Sequence, residues 1–213
     1  MKRYDKVFDM SGGFAKVQRG GKIGYINYRK KQITPIKYDD GDTYFVPYHP
    51  MEQHARVKLN GKWGIINDKG KEIIKPKYDY LWHFRCGFAK FKLNGKYGFI
   101  NIKGEEIIPP KYDNVREFQM DSDLAIVEID GKYGFVNQNG EEITDIIYDD
   151  AEDFYYGVGR VKLHSKWGYI NSSGQLITEI KYDEASGHFI KNQASVFAGN
   201  GYFHIDMEGN EIY

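Results

Sequence analysis

Residues 57–67 read Val-Lys-Leu-Asn-Gly-Lys-Trp-Gly-Ile-Ile-Asn, which places two largely apolar runs on either side of an Asn-Gly pair. Both central residues of a tight hairpin turn need positive φ, which Asn and Gly tolerate best. The stretch therefore predicts an antiparallel hairpin that turns at Asn60-Gly61. Residues 67–70 then have Asn first and Gly fourth, which favours a type I turn into a third strand over 72–74.

The Gly-Lys-Trp-Gly motif at 61–64 recurs along the whole chain. Its second glycine falls at 24, 64, 98, 134 and 168, and Phe203 stands in its place in a sixth copy. A Tyr-Asp pair follows each of the five glycines by fourteen residues, and an Ala or Gly precedes each of the six positions by nine. Regular spacing of this kind is typical of repeat proteins. We predict six repeats of about 35 residues in a single domain spanning 1–213.

Each repeat is predicted to be a three- to four-stranded antiparallel meander, with the Tyr-Asp segment adding a short fourth strand. No window has apolar residues at helical spacing for long enough to compete, so the fold class is all-β. Residues 210–213 followed by 1–5 match the segment 105–113 in length, as if one continuous cycle had been cut once. We therefore favour a closed six-bladed β-propeller in which residues 1–5 complete the last repeat. An open β-superhelix or solenoid is the alternative.

Three motifs carry a family resemblance: Gly-Lys-Trp-Gly with Ile-Ile-Asn after it, Lys-Glu-Ile-Ile, and Lys-Tyr-Asp. Together they resemble the bacterial WG-repeat family, also called KWG repeats, and the resemblance covers the whole chain. It implies a β-rich array that mediates interactions, and it supplies no catalytic residues. The chain departs from the pattern at Ile23 in the Trp position, at Lys30 where the turn favours Gly, and at Phe203.

Composition narrows the class of partner. Thirty basic and thirty acidic residues cancel, so we expect neither nucleic acid nor an anionic membrane as a ligand. No run of 18 apolar residues and no signal peptide is visible, and the single cysteine, Cys86, indicates a packed thiol in a reducing compartment. We expect a cytoplasmic monomer. A cleaved leader outside this sequence is the alternative left open.

The repeated polar residues are interpreted as structural. In the six Tyr-Asp pairs, counting Tyr4-Asp5, we expect Asp to accept backbone N–H groups at a turn and Tyr to pack between repeats, because a catalytic site needs different roles at different positions. The lysines at 22, 62, 96, 132 and 166 are expected to form a solvated basic ring. The six histidines lack metal-ligand spacing. No catalytic residue, metal or cofactor is predicted, and the chain is expected not to be an enzyme.

Function is sought instead in the segments that vary between repeats, because loops on a rigid scaffold carry binding residues. These segments are 6–14, 40–54, 80–88, 114–124, 150–158 and 184–193. They sum to a formal charge of −7, which leaves +7 on the scaffold, and the insertion at 40–54 differs most. Phe84, Phe118 and Phe154 recur six residues after the Tyr and are assigned to the core.

The variable segments therefore predict an acidic, aromatic face that binds a basic protein partner, as a subunit or an inhibitor. A carbohydrate-binding propeller that uses aromatic platforms is the alternative. The predicted partner-binding residues are Asp40, Asp42, Tyr44, Phe45, Tyr48, Trp82, Glu152, Asp153, Tyr155 and Tyr156.

Overall fold

The structure, a computed structural model, describes residues 3–43, 46–49, 52–119, 122–199 and 201–212, with the backbone alone at 46–49 and 52. Over these ranges the chain forms strands and turns and contains no helix, which confirms the all-β class. It divides into two compact units, Met1–Pro110 and Lys111–Tyr213. The grouping of all six repeats into a single domain stays a prediction.

The strands follow the repeat. In chain order they are β1 (Lys6–Val7), β2 (Phe14–Arg19), β3 (Lys22–Asn27), β4 (Asp40–Gly41), β5 (Val46–His49), β6 (Glu52–Leu59), β7 (Lys62–Asn67), β8 (Glu72–Tyr78), β9 (Tyr80–Leu81), β10 (Phe88–Leu93), β11 (Lys96–Asn101), β12 (Glu106–Tyr112), β13 (Asn114–Val115), β14 (Leu124–Ile129), β15 (Lys132–Asn137), β16 (Asp150–Ala151), β17 (Val158–Leu163), β18 (Lys166–Asn171), β19 (Glu184–Ala185), β20 (Ala194–Ala198), β21 (Gly201–Ile205) and β22 (Glu211–Ile212).

These strands form six antiparallel sheets, one for each repeat. Each sheet starts with the short strand that follows a Tyr-Asp pair, continues with the two long strands of the predicted hairpin, and ends with the third strand where that strand is regular. The short fourth strand is thus confirmed, and it joins the sheet of the following repeat: β9 pairs with β10 rather than with β8. The Tyr-Asp pair is the crossover between consecutive sheets.

The second sheet has a fifth strand that the repeat did not predict. Within the 40–54 insertion, β5 pairs with β6 and extends the edge of the hairpin, with Val46 opposite His54. The insertion therefore adds strand pairing as well as a loop, because Val, Pro and Tyr at 46–48 suit an extended edge strand.

The hairpin turns have the predicted conformation. Asn60 and Gly61 have φ of 51° and 77°, as the two central residues of a type I′ turn require. Lys30 takes a φ of 59° in the second turn of the first repeat, where the other repeats place glycine. This departure from the motif therefore preserves the turn.

The second glycine of the motif makes room for the third strand. A Cβ atom at Gly64 would lie 2.5 Å from the carbonyl oxygen of Ile74 and 2.6 Å from the nitrogen of Pro76. The pairing of β7 with β8 shifts register at this point. Any side chain at Gly64 would push β8 away, so close backbone approach explains why the motif needs Gly.

The residue ten positions after the motif glycine decides whether the third strand is regular. Where it is Ile, at Ile74 and Ile108, the side chain is buried and the segment forms β8 or β12. Where it is Thr, the hydroxyl oxygen accepts the N–H that follows the motif glycine: Thr34 from Tyr25 at 2.9 Å, Thr144 from Phe135 at 3.1 Å and Thr178 from Tyr169 at 3.0 Å. The side chain replaces a strand-to-strand bond, and isolated bridges remain in these three repeats.

Within each of the two units, consecutive sheets share their hydrophobic cores. Ile66 of the second sheet packs with Tyr25 and Tyr38 of the first repeat, whereas its neighbour Ile65 packs with Phe91 and Ile100 of the third. Further clusters are shared by the fourth and fifth repeats and by the fifth and sixth repeats. Since neighbouring residues of a strand point to opposite faces, the second and fifth sheets are each covered on both sides.

The Tyr-Asp crossovers have the predicted structural role. Tyr38, Tyr78, Tyr148 and Tyr182 are buried in the clusters between sheets. The aspartates accept N–H groups of the next hairpin turn, as in the bonds of 2.6 Å from Asn94 to Asp79 and 2.9 Å from Asp130 to Asp113. Tyr4-Asp5 serves the first sheet in the same way, since Gly20 N–H donates to Asp5 at 2.7 Å.

Among the lysines predicted to form a solvated ring, those at 22, 62, 132 and 166 are half-exposed, but the sequence did not show that they are also paired. Four of these lysines pair with the aspartate of their own repeat: Lys22 with Asp39, Lys62 with Asp79, Lys132 with Asp149 and Lys166 with Asp183. The lysine hydrogen bond lowers the pKa of Asp39, Asp79 and Asp149. The lysine and the aspartate are seventeen residues apart in the sequence, and the crossover between sheets brings their charges together.

Replacing Gly64 by Ala is expected to destabilise the protein by about 2–3 kcal/mol, because the new methyl group overlaps backbone that cannot move without breaking β8. Urea unfolding measures the change. Gly201→Ala is the matched control, since a Cβ atom there meets nothing within 4 Å. It should change stability by less than about 1 kcal/mol. Equal effects of the two substitutions would contradict the close-approach explanation.

Closure of the six sheets into a ring stays a prediction. It would make the deletion of Asn210–Tyr213 destabilise the first repeat, because the last sheet and the first would share a core. Amide hydrogen exchange over β2 and β3 is the readout. Lower protection there after the deletion is expected for a ring, while unchanged protection would indicate the open array, in which stabilisation is local.

Candidate functional site

The variable segments lie at one end of each sheet, between the short first strand and the hairpin. Their first residues belong to the scaffold, because β4, β9, β16 and the equivalent short strands are paired. Four of the connecting loops are tight turns of two residues with positive φ, at Gly12-Gly13, Cys86-Gly87, Tyr156-Gly157 and Lys191-Asn192. Cys86 thus sits half-buried in a turn rather than packed in the core.

The aromatic residues assigned to the core are confirmed there. Phe118 and Phe154 are buried, and Phe84 packs against the cluster between the second and third sheets. Phe189 of the last variable segment is also buried. The binding surface must therefore come from other side chains in these segments.

In the second repeat, Asp42 has an internal partner. The Arg56 guanidinium lies 2.9 Å from its carboxylate, and the Arg56 N–H donates to the same group at 2.7 Å. Asp40 is mostly exposed, with Lys16 at 3.9 Å. Of the two predicted acidic residues, Asp40 is the one that presents its charge to solvent.

Two histidines extend the Asp42 cluster inward. His83 Nε2 lies 3.4 Å from the Asp42 carboxylate, and its Nδ1 lies 3.3 Å from Nε2 of His54. His54 is 2% exposed. The pKa of His54 is lowered to about 4, mainly by burial and also by His83, while Asp42 acts in the opposite direction. The sequence did not reveal this cluster, because its members are separated by the 40–54 insertion and by a full repeat.

The remaining predicted residues of the first three repeats have mixed placement. Tyr44 and Phe45 lie outside the described residues, and Tyr48 is described only as part of the β5 backbone. Trp82 is half-buried: its ring lies 4.3 Å from that of Tyr80, and Lys90 Nζ lies 4.6 Å from its centroid. Trp82 therefore presents only part of its surface to a ligand.

In the fifth repeat, the acidic residues are divided in the same way. Glu152 pairs with the Arg160 guanidinium. Asp153 is exposed, yet desolvation raises its pKa, with Arg116 opposing the rise and Glu152 adding to it. Arg160 also donates to the Ala185 carbonyl, as Arg56 does to Leu81. An arginine on the second strand thus neutralises one loop carboxylate in both repeats.

Tyr155 and Tyr156 are the exposed aromatic residues of this end of the sheet. They are 44% and 71% exposed, and their rings meet edge to face at 4.8 Å. The other neighbour of Tyr155 is His188 of the sixth repeat, also at 4.8 Å. We call these three residues the tyrosine patch. His188 and the nearby Ile190 line an adjoining depression of about 380 Å³.

Sequence reasoning found the two tyrosines but missed His188 and Ile190. The signal available was weak, since His188 is one of six histidines that lack metal-ligand spacing. Their proximity depends on the stacking of the fifth and sixth sheets, which the repeat spacing implies but does not place in three dimensions.

The chain matches a family model described as "WG containing repeat" in six consecutive segments, residues 2–22, 23–63, 63–97, 97–133, 133–167 and 167–202. The chain belongs to the WG-repeat family. No relative was found among curated proteins.

Solved structures resemble this WG-repeat chain only loosely. Hsv2p of Kluyveromyces lactis matches with a TM-score of 0.41 and 14% identity, over 75% of this chain and 59% of its own. A catalytically inactive virginiamycin B lyase from Staphylococcus aureus, solved with quinupristin, matches with a TM-score of 0.34 and 16% identity, over 93% of this chain and 82% of its own. Neither likeness assigns a function.

Two further observations apply to the described part of the WG-repeat chain. It holds no group of three or more His, Cys, Asp and Glu side chains arranged to bind a metal ion. Nor does it contain a helix long and apolar enough to cross a membrane.

The buried His54 predicts a loss of stability in mild acid. Its pKa is lowered from 6.5 to about 4 on folding, so the unfolded chain binds the proton first as the pH falls. Stability should therefore be unaffected above pH 6.5 and should fall between that pH and about 4, by at most about 3 kcal/mol. Burial lowers the pKa of His83 as well, which acts in the same direction.

Urea unfolding at pH 7 and pH 5 measures this dependence. A His54→Gln variant should lose less stability between the two pH values than the parent protein. His164→Asn, at an exposed hairpin turn, should behave like the parent. Parallel pH profiles for the parent and His54→Gln would show that His54 is not the titrating group.

Proposed function

We propose that this WG-repeat chain is a non-enzymatic protein-interaction module that binds a protein partner through its variable loops. The observation that carries the proposal is the tyrosine patch, where two adjacent tyrosines on a hydrogen-bonded turn are 44% and 71% exposed. Large aromatic side chains exposed on a rigid turn are frequent anchors of protein interfaces.

The turn holds these anchors in one conformation. Tyr155 and Val158 exchange backbone hydrogen bonds of 2.9 and 3.1 Å, and Tyr156 has a φ of 50°. Phe154, the residue before them, is buried and anchors the start of the turn in the core. A tyrosine has few rotatable bonds, so binding through a preformed turn loses little conformational entropy.

Charge supports a basic partner, though less strongly than the residue count suggests. Asp42 and Glu152 are neutralised by Arg56 and Arg160, which leaves Asp40 and Asp153 as the exposed carboxylates among the predicted residues. Exposed charges accelerate encounter with an oppositely charged protein and are screened by salt. We expect binding to weaken as the ionic strength rises, but only modestly.

The geometry favours a protein over a carbohydrate. A sugar ring stacks on one open, flat aromatic face, whereas the rings of Tyr155 and Tyr156 are inclined by 80°. The Tyr155 ring also contacts the His188 ring, at an interplanar angle of 46°, so part of its surface is already covered. The patch is a ridged surface that suits side chains of mixed shape.

Replacing Tyr155 and Tyr156 together by Ala is expected to weaken partner binding by about 2 kcal/mol or more while leaving stability nearly unchanged. The partner is first captured from the cells of origin and identified. Calorimetry with the purified partner then gives the affinity. Tyr202→Ala is the control, because Tyr202 is as exposed as Tyr156 but lies on β21, outside the variable loops.

A second variant tests the 40–54 insertion. Tyr44, Phe45 and Tyr48 replaced together by Ala should also reduce affinity if the insertion shares in binding. Full affinity in both variants would contradict the proposal that the loops form the interface. Unfolding of the triple variant would show that those three aromatic residues belong to the core.

A further inference from the structure

A lysine and a glutamate link the third strands of consecutive repeats. Lys37 lies 2.8 Å from Glu72, Lys77 lies 2.8 Å from Glu106, and Lys111 lies 2.6 Å from Glu142. The Tyr after each lysine donates its hydroxyl to the same glutamate, at 2.8–2.9 Å. Each boundary of this kind thus has one carboxylate shared by an ammonium and a phenol.

At the boundary between the fourth and fifth repeats, both the lysine and the glutamate of this pair are replaced by apolar residues. Ile147 stands in the lysine position and Leu176 in the glutamate position. The next boundary returns to Lys181 and Glu211. Ile147 and Leu176 are 47% and 53% exposed, so the exchange has not moved them into the core.

These two side chains line a surface depression of about 500 Å³, together with Glu142, Asp145, Tyr148 and Gly174. We call it the Ile147 groove. An exposed ion pair contributes little to stability. Replacing it with two apolar side chains that keep about half of their surface in water also adds little stability. Their remaining apolar surface is available for burial by a partner.

The polar groups of the groove indicate the charge of the occupant. Glu142 is paired with Lys111, whereas Asp145 is exposed. Burial raises the pKa of Tyr148, and the negative charge of Asp145 raises this pKa as well. The lysine that would attract a carboxylate at this boundary is replaced by Ile147. Asp145 would repel an acidic ligand and attract a basic one.

We propose that the Ile147 groove docks a segment of a protein partner in which an apolar side chain lies next to a lysine or arginine. The apolar side chain covers Ile147 and Leu176, and the cation approaches Asp145. This surface lies on the third-strand segments of the fourth and fifth repeats and the turn at Gly174, and it contains none of the tyrosine patch. It is therefore a second contact surface and does not depend on the first.

The probe for a test is a short synthetic peptide of alternating leucine and lysine, titrated into the full chain with labelled Ile and Leu methyl groups. Selective shifts of the Ile147 and Leu176 signals are expected. A peptide of alternating leucine and glutamate should bind at least about tenfold more weakly. Equal binding of the two peptides would overturn the charge argument, and the absence of shifts would overturn the site.

The matched variant restores the repeat pattern, Ile147→Lys with Leu176→Glu. It should fold normally, because the same pair is present at the other boundaries, and thermal unfolding checks this. Affinity for the leucine-lysine peptide should fall at least about tenfold, while Ile102→Lys, an exposed apolar residue of another turn, should leave it unchanged. Unchanged affinity in the double variant would refute the proposal. So would concentration-dependent self-association of the parent that the double variant abolishes, since the groove would then be occupied by a second copy.

Discussion

The structure depends on one constraint: a single sheet of this chain cannot bury its own apolar residues. Ile65 and Ile66 are adjacent in β7 and both fully buried, yet they belong to different clusters, one shared with the following repeat and one with the preceding repeat. The second sheet alone would leave one of them in water, which the hydrophobic effect opposes. Each repeat therefore requires its neighbours, and the motif repeats because each repeat meets the same requirement.

This constraint separates fixed positions from free ones. The motif glycine, the crossover Tyr-Asp and the apolar pair of the second hairpin strand all serve the contact between sheets. The exposed loop residues and the positions of Ile147 and Leu176 lie outside these shared cores. The unusual exposed residues are found there: Tyr155 and Tyr156 on a turn, and Ile147 with Leu176 where an ion pair is expected.

The sequence predicted what is local or strictly repeated. The Asn60-Gly61 hairpin, the role of the Tyr-Asp pairs and the burial of Phe118 and Phe154 follow from turn chemistry and spacing. It did not predict that Thr34, Thr144 and Thr178 interrupt the third strand, because Thr is also a good strand residue and only the nearby N–H reveals its effect. Nor could it show that Arg56 and Arg160 neutralise Asp42 and Glu152, since these pairs form across a hairpin whose loop length varies.

Native-state hydrogen exchange on two single variants tests the shared cores most directly. Ile65→Ala should reduce amide protection in the second and third sheets, over residues 62–67 and 88–101, and spare the first. Ile66→Ala should reduce it in the first and second sheets, over 14–27 and 62–67, and spare the third. Each substitution removes buried methyl groups at a cost of about 2–5 kcal/mol, large enough to be seen. The same pattern of exchange in both variants would contradict the account, because it would mean that each sheet belongs to one common core.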